Sequence, residues 1–154
     1  MFTEQLTQEL SLADDLIPAN TVNSATPVYS TGLDMSKFKR VMYEIQIGAI
    51  TGAGTVDAKL QSCAASNFGS GVHNITGSNI TQVTNANPNT RVTIEVRADE
   101  VEQQNHGDRY VRLAVTIGAN SVVFGATGWG ASGIHEPANA NDLPSNTVIQ
   151  RVVV

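Results

Sequence analysis

Apolar side chains recur at every second position over several stretches of this chain, with polar residues between them. Val41, Tyr43, Ile45 and Ile47 alternate with Met42, Glu44 and Gln46. After Thr51-Gly52-Ala53-Gly54 the pattern resumes, with Val56, Ala58 and Leu60 set against Asp57, Lys59 and Gln61. A period of two sends one set of side chains to a buried face and the other to water, as in a half-buried strand. Glycines in the break can adopt positive φ, so Phe38 to Ile50 and Thr55 to Cys63 are predicted to form a hairpin.

The same rule places further strands. Thr26 to Tyr29 and Leu33 to Met35 flank Thr31-Gly32, and two short ragged strands or a loop fall within His73 to Thr84. Thr90 to Ala98 has Val92, Ile94 and Val96 inward. In Arg109 to Gly118, Val111, Leu113, Val115 and Ile117 point inward. Ser121 to Ala126 follows, then a Gly/Ala-rich loop to Asn141, then a closing β-branched run, Thr147 to Val154. Asp99 to Asp108 reads as a polar connection. Short strands with turn signals roughly every 8–12 residues predict an all-β protein, an antiparallel, jelly-roll-like β-sandwich.

Ahead of the strands, Leu6, Leu10, Ala13 and Ile17 fall at helical spacing and Pro18 would end a helix, although Ser11-Leu12-Ala13 also fits an extended arm. The expected organisation is therefore an N-terminal arm or helix over 1–22 and a single β-sandwich domain over 23–154. Lying outside the alternating core, the first segment is expected to serve partner binding more than folding.

Composition narrows the function. The chain has 154 residues, enough for one domain with its own core. Charged residues are only 15% and the net charge is −5, without a basic run, which argues against nucleic acid as a partner. No apolar stretch approaches a membrane span. The single cysteine, Cys63, has no internal disulfide partner, and Met1 to Gln5 does not open like a signal peptide, so synthesis in a cytoplasm is expected.

Candidate chemistry is sparse. Gly128-Trp129-Gly130-Ala131-Ser132-Gly133 matches G-x-G-x-x-G, but no helix pattern or acidic residue follows at the spacing that dinucleotide binding needs. The bland reading is a flexible or closely packed loop. Trp129 within it is read as a lid over one end of the sandwich or as an interface anchor. His73, His106 and His135 sit beside turn residues without metal-ligand spacing, and are read as solvent-facing. Asp14-Asp15, Asp99-Glu100 and Asp108 are read as solvated turn residues. No catalytic residue, cofactor or metal site is assigned.

Three runs carry a resemblance: Phe38 to Ile50 continued by Ala58-Lys59-Leu60-Gln61; Asn74-Ile75-Thr76-Gly77 with Ile80-Thr81-Gln82; and Arg109-Tyr110-Val111-Arg112-Leu113-Ala114-Val115-Thr116. In that order they resemble the decoration (cement) or minor capsid proteins of tailed-bacteriophage heads, over residues 30 to 125. The resemblance implies a non-enzymatic virion protein, made in the host cytoplasm, that binds the major capsid protein and copies of itself. A homotrimer is expected, without nucleic acid or membrane as partner. Apolar residues near both ends and Trp129 supply the expected interface: Phe2, Leu6, Leu10, Trp129, Val152 and Val154. Left uncovered, the apolar C-terminal run would be an aggregation-prone edge. The alternative is a carbohydrate- or receptor-binding β-sandwich of a phage fibre or spike, with Tyr29, Tyr43, Tyr110 and Trp129 as stacking candidates.

Overall fold

The computed structural model describes residues 6–21 and 26–133. A single helical turn, α1 (Leu6–Glu9), leads into β1 (Leu10–Thr21). There follow β2 (Val28–Tyr29), β3 (Leu33–Asp34), β4 (Phe38–Ile50), β5 (Thr55–Cys63), β6 (His73–Asn74), β7 (Val83–Thr84) and β8 (Thr90–Arg97). Helix α2 (Ala98–Gln104) then connects to β9 (Tyr110–Gly118) and β10 (Val122–Gly133). The expected strand over Thr147 to Val154 lies outside the described residues.

The strands form two sheets, paired antiparallel throughout. One has the order β1-β10-β4-β8. In the other, β2 and β3 pair with one edge of β9, β5 with its other edge, and β6 and β7 with the far edge of β5. Taking β2–β3 and β6–β7 each as one interrupted strand leaves eight, B to I in chain order. The sheets then read B-I-D-G and C-H-E-F, the jelly-roll arrangement. Alternation explains the sandwich: Val41, Tyr43 and Ile45 of β4 face Val56 and Leu60 of β5 and Val111, Leu113 and Val115 of β9 across one fully buried core.

Three expectations need correction. The first is the hairpin, because β4 and β5 are not paired with each other. The turn at Thr51–Gly54, with Gly52 at φ +52°, carries the chain from one sheet to the other, so the two buried faces oppose one another across the core. The second concerns the N-terminal segment. Beyond Glu9 it is extended, as the second of the two readings has it, but it does not stand apart: β1 pairs along β10 from Leu10↔Ala131 to Thr21↔Val122. Register shifts between Leu12 and Asp14 and between Leu16 and Ala19 break the period of two. The third is the Gly/Ala-rich loop after Ala126, which through Gly133 is strand, paired with β1 on one side and β4 on the other. Helix α2 occupies most of the expected polar connection. It buries Val101, and Glu100 Oε2 accepts a hydrogen bond from the Arg97 backbone N–H at 2.9 Å.

Candidate interaction surface

Among the described residues, one grouping resembles a catalytic constellation; it joins β5, β6 and the segment after α2. Ser62 Oγ donates to Asp108 Oδ2 at 2.7 Å, His73 Nδ1 lies 2.9 Å from the same oxygen, and Asn105 Nδ2 donates to Ser62 Oγ at 2.9 Å. The carboxylate stands in the middle. A nucleophilic triad needs the imidazole between hydroxyl and carboxylate, so that it can take the hydroxyl proton. Here Ser62 is fully buried and its proton is directed at Asp108. The arrangement ties two strands to the loop before β9. Asp108 is thus buried rather than a solvated turn residue. His106 is exposed and pairs with Glu102 four residues earlier, and His135 lies outside the described residues. Among the described residues no three His, Cys, Asp or Glu side chains group as metal ligands.

Asp14, read from the sequence as solvated, is the most deeply buried carboxylate among the described residues. Its Oδ2 accepts from Ser30 Oγ at 2.5 Å, Tyr43 Oη at 2.6 Å and the Gly32 N–H at 3.0 Å, and its Oδ1 accepts from the Asp15 N–H at 3.0 Å. Burial raises its pKa above the ordinary carboxylate range, and the four hydrogen bonds offset only part of that effect. Burial beside the Asp14 carboxyl likewise pushes the Tyr43 phenol well upward. The cluster pins β1 to β4 and to the turn before β3. By contrast Asp34, at the mouth of a 450 Å³ groove lined by Lys37, Phe38 and Tyr110, is held near 2 by its two-pronged contact with Arg109. Both carboxylates have structural partners, and neither arrangement supplies a nucleophile or a free general base.

Two of the glycines in the G-x-G-x-x-G run have packing roles. A Cβ on Gly128 would come within 2.8 Å of the Tyr43 ring and 3.0 Å of Asp14 Cβ; one on Gly130 would come within 2.6 Å of the Phe38 ring. Both point inward and make room for these aromatics. Trp129 between them therefore points outward, on an interior strand of the four-stranded sheet rather than on a loop. Residues directly opposite on paired strands share a face. Leu12 of β1 is opposite Trp129, Trp129 is opposite Met42 of β4, and Met42 is opposite Glu95 of β8. Leu12 and Trp129 are half-buried, and Met42 is 36% exposed. The next row is Leu10, Ala131, Arg40 and Arg97. Leu6 on α1, 67% exposed, precedes it.

This row is the candidate interaction surface. Of the expected interface residues, Leu6, Leu10 and Trp129 belong to one corner of the sheet, while Phe2, Val152 and Val154 lie outside the described residues. Met42 and Leu12 were not singled out from sequence, although Met42 is the one apolar residue at an outward position of β4 between Arg40 and Gln46. Around the row, Arg40 lies 3.8 Å from Glu95 and Arg91 lies 3.2 Å from Glu44, so the rim is ion-paired. The stacking candidates do not converge. Tyr43 is in the core; the Arg112 guanidinium covers the Tyr29 ring at 3.8 Å and the Arg109 guanidinium lies over the Tyr110 ring at 5.4 Å.

No helix among the described residues is long and apolar enough to cross a membrane. No known family and no curated protein matches the chain. Among solved structures it is similar to a chain in a structure of infectious bursal disease virus Gx strain, at 11% identity and a TM-score of 0.42, covering 84% of this chain and 33% of that one. It is also similar to a chain from the Gt strain of the same virus, at 11% identity and a TM-score of 0.27, covering 80% of this chain and 41% of that one. The chain thus spans less than half the length of each.

Proposed function

We propose that this chain is a structural, non-enzymatic protein of a virus particle, which decorates and stabilises a phage capsid by binding the major capsid protein and neighbouring copies of itself. The observation that carries the reading is the row Leu12, Trp129 and Met42, held on a rigid sheet face inside an ion-paired rim. An apolar centre with a polar rim is the anatomy of a protein–protein contact. Two further points support it. Jelly rolls recur in capsid proteins, which is a fold-level analogy, and the β4, β5 and β9 runs resemble phage head decoration proteins. The expected trimer belongs to the same proposal. The test is to mix the purified chain with capsids lacking it and sediment them. Saturable co-sedimentation at a fixed ratio to the major capsid protein is expected. Absence of binding together with specific retention on a glycan array would replace this reading with the carbohydrate-binding one.

A further inference from the structure

We infer that the outward face of the four-stranded sheet is a contact surface for a second copy of this chain, packed sheet on sheet with Trp129 at its centre. The inference rests on the assembly reading above and names the partner of that face. Its first support is charge. The outward positions of rows 40 to 46 carry Arg40, Arg91 and Arg97 against Asp15, Glu44 and Glu95, so the face is balanced on a chain whose net charge is −5. A balanced face has no preference for an acidic or a basic partner, but it can complement itself. The register shows how. A two-fold axis along the row Leu12, Trp129 and Met42 lays that row on its own copy and brings the two Glu95 carboxylates together at its end, each 3.8 Å from the Arg40 guanidinium of its own chain. Arg40 and Glu44 flank Met42 two residues to either side, so the same axis sets Arg40 of each copy over Glu44 of the other. Such a contact is isologous and pairs copies two by two, separately from any threefold contact.

Size sets the strength. Four strands about 4.8 Å apart, of 12, 12, 13 and 8 residues at about 3.4 Å each, present roughly 700 Å² per copy. Stable interfaces bury about 800 Å² per partner. Even the whole face falls short of that, so the pairing is weak in dilute solution and favoured where copies are concentrated on a surface.

Trp129 is the only tryptophan, so its emission reports the contact directly. The experiment is a concentration series of the full chain from micromolar to millimolar, followed by sedimentation velocity and tryptophan fluorescence. A reversible doubling of mass, accompanied by a blue shift of Trp129 emission, is expected. Met42→Lys, at an exposed position, should weaken the doubling at least tenfold with the thermal midpoint retained, and so should Trp129→Lys. Arg40→Glu should weaken it about tenfold, and adding Glu44→Arg should restore it. Doubling that is indifferent to Met42→Lys and to the charge swap would overturn the inference, as would the absence of association at millimolar concentration. Capsid co-sedimentation of the same variants separates the two claims. Pairing without capsid binding leaves the face contact standing and removes the decoration reading; capsid binding by chains that never pair does the reverse.

Discussion

β9 lies between partner strands on both edges, and its inward side chains Val111, Leu113, Val115 and Ile117 are essentially inaccessible to solvent. Among the described residues β1 has a single partner strand, β10, and its fully buried side chains are Ser11 and Asp14. The interior strand is held by apolar area, which is non-directional and accepts any side chain of suitable volume. The edge strand is held by a carboxylate that gathers donors from Ser30, Gly32 and Tyr43. Hydrogen bonds are directional, so this attachment fixes where β1 sits along β10 despite two register shifts. An edge strand with one apolar face and no such anchor could slip by two residues at little cost.

The largest effect should come from putting a charge where β9 has only apolar neighbours. Val115→Asp buries an unpaired carboxylate and should cost about 4 kcal/mol or more, lowering Tm by ~10 °C or unfolding the domain. Thr116→Asp, one residue along on the outward face, sits opposite Asp57 and should cost less than about 1 kcal/mol. Thermal melts of both variants check the contrast; equal losses would mean that β9 is closed on both faces.

Asp14→Ala comes next. It leaves Ser30, Gly32 and Tyr43 with donors facing a void, although Tyr43 Oη has Val111 O at 3.4 Å as a second acceptor. A loss of about 2–4 kcal/mol is expected by chemical denaturation. Removal of residues 1–20 should be at least as damaging, because it strips β10 of a partner strand. A truncated chain that melts within a few degrees of the full one would show that the Asp14 cluster contributes nothing.

A subtler expectation concerns pH. The pKa of Asp14 is raised in the folded state from an unfolded value of 3.8. The folded chain therefore holds this proton more tightly than the unfolded one. The resulting stabilisation is complete below pH 3.8 and is lost as pH rises through the raised native value. Asp14→Asn cannot titrate, so wild type should lose stability relative to the variant as pH rises above 3.8. Denaturation midpoints of both at several pH values measure this; a constant difference would mean that the carboxyl is ionised throughout.

The contrast between β1 and β9 also explains what could be read from the sequence. β4, β5, β8 and β9 were legible because each has one apolar face and unbroken alternation. β1 was not, since the fully buried positions among its described side chains hold Ser and Asp and its register shifts erase the period. β10 was missed beyond Ala126 because inward Gly128 and Gly130 have no side chain to register as apolar; their signal is the bulk of Tyr43 and Phe38 on β4. The sheet-to-sheet crossing after β4 was read as a hairpin because both connections need the same turn residues. The outward row Leu12, Trp129 and Met42 joins three strands distant in sequence, so no window along the chain contains it.

The finest distinction lies between two buried serines that the sequence treats alike. Ser30 Oγ donates to Asp14 and accepts from the Leu113 N–H at 2.9 Å, so Ser30→Ala removes two hydrogen bonds and leaves two groups short of a partner. It should cost about 1–2 kcal/mol. Ser11, opposite inward Gly130, buries an Oγ with no hydrogen-bond partner among the described residues. Removing a buried hydroxyl that bonds nothing relieves its desolvation cost while giving up little packing. Ser11→Ala should therefore raise stability, by up to about 1 kcal/mol, which for a domain of this size is an increase in Tm of roughly 2–4 °C. Opposite signs for the same substitution at two buried sites would confirm that β1 is held by Asp14 rather than by polar burial in general. A destabilised Ser11→Ala would mean that this hydroxyl also has a partner, and that the attachment of β1 is shared between two polar contacts.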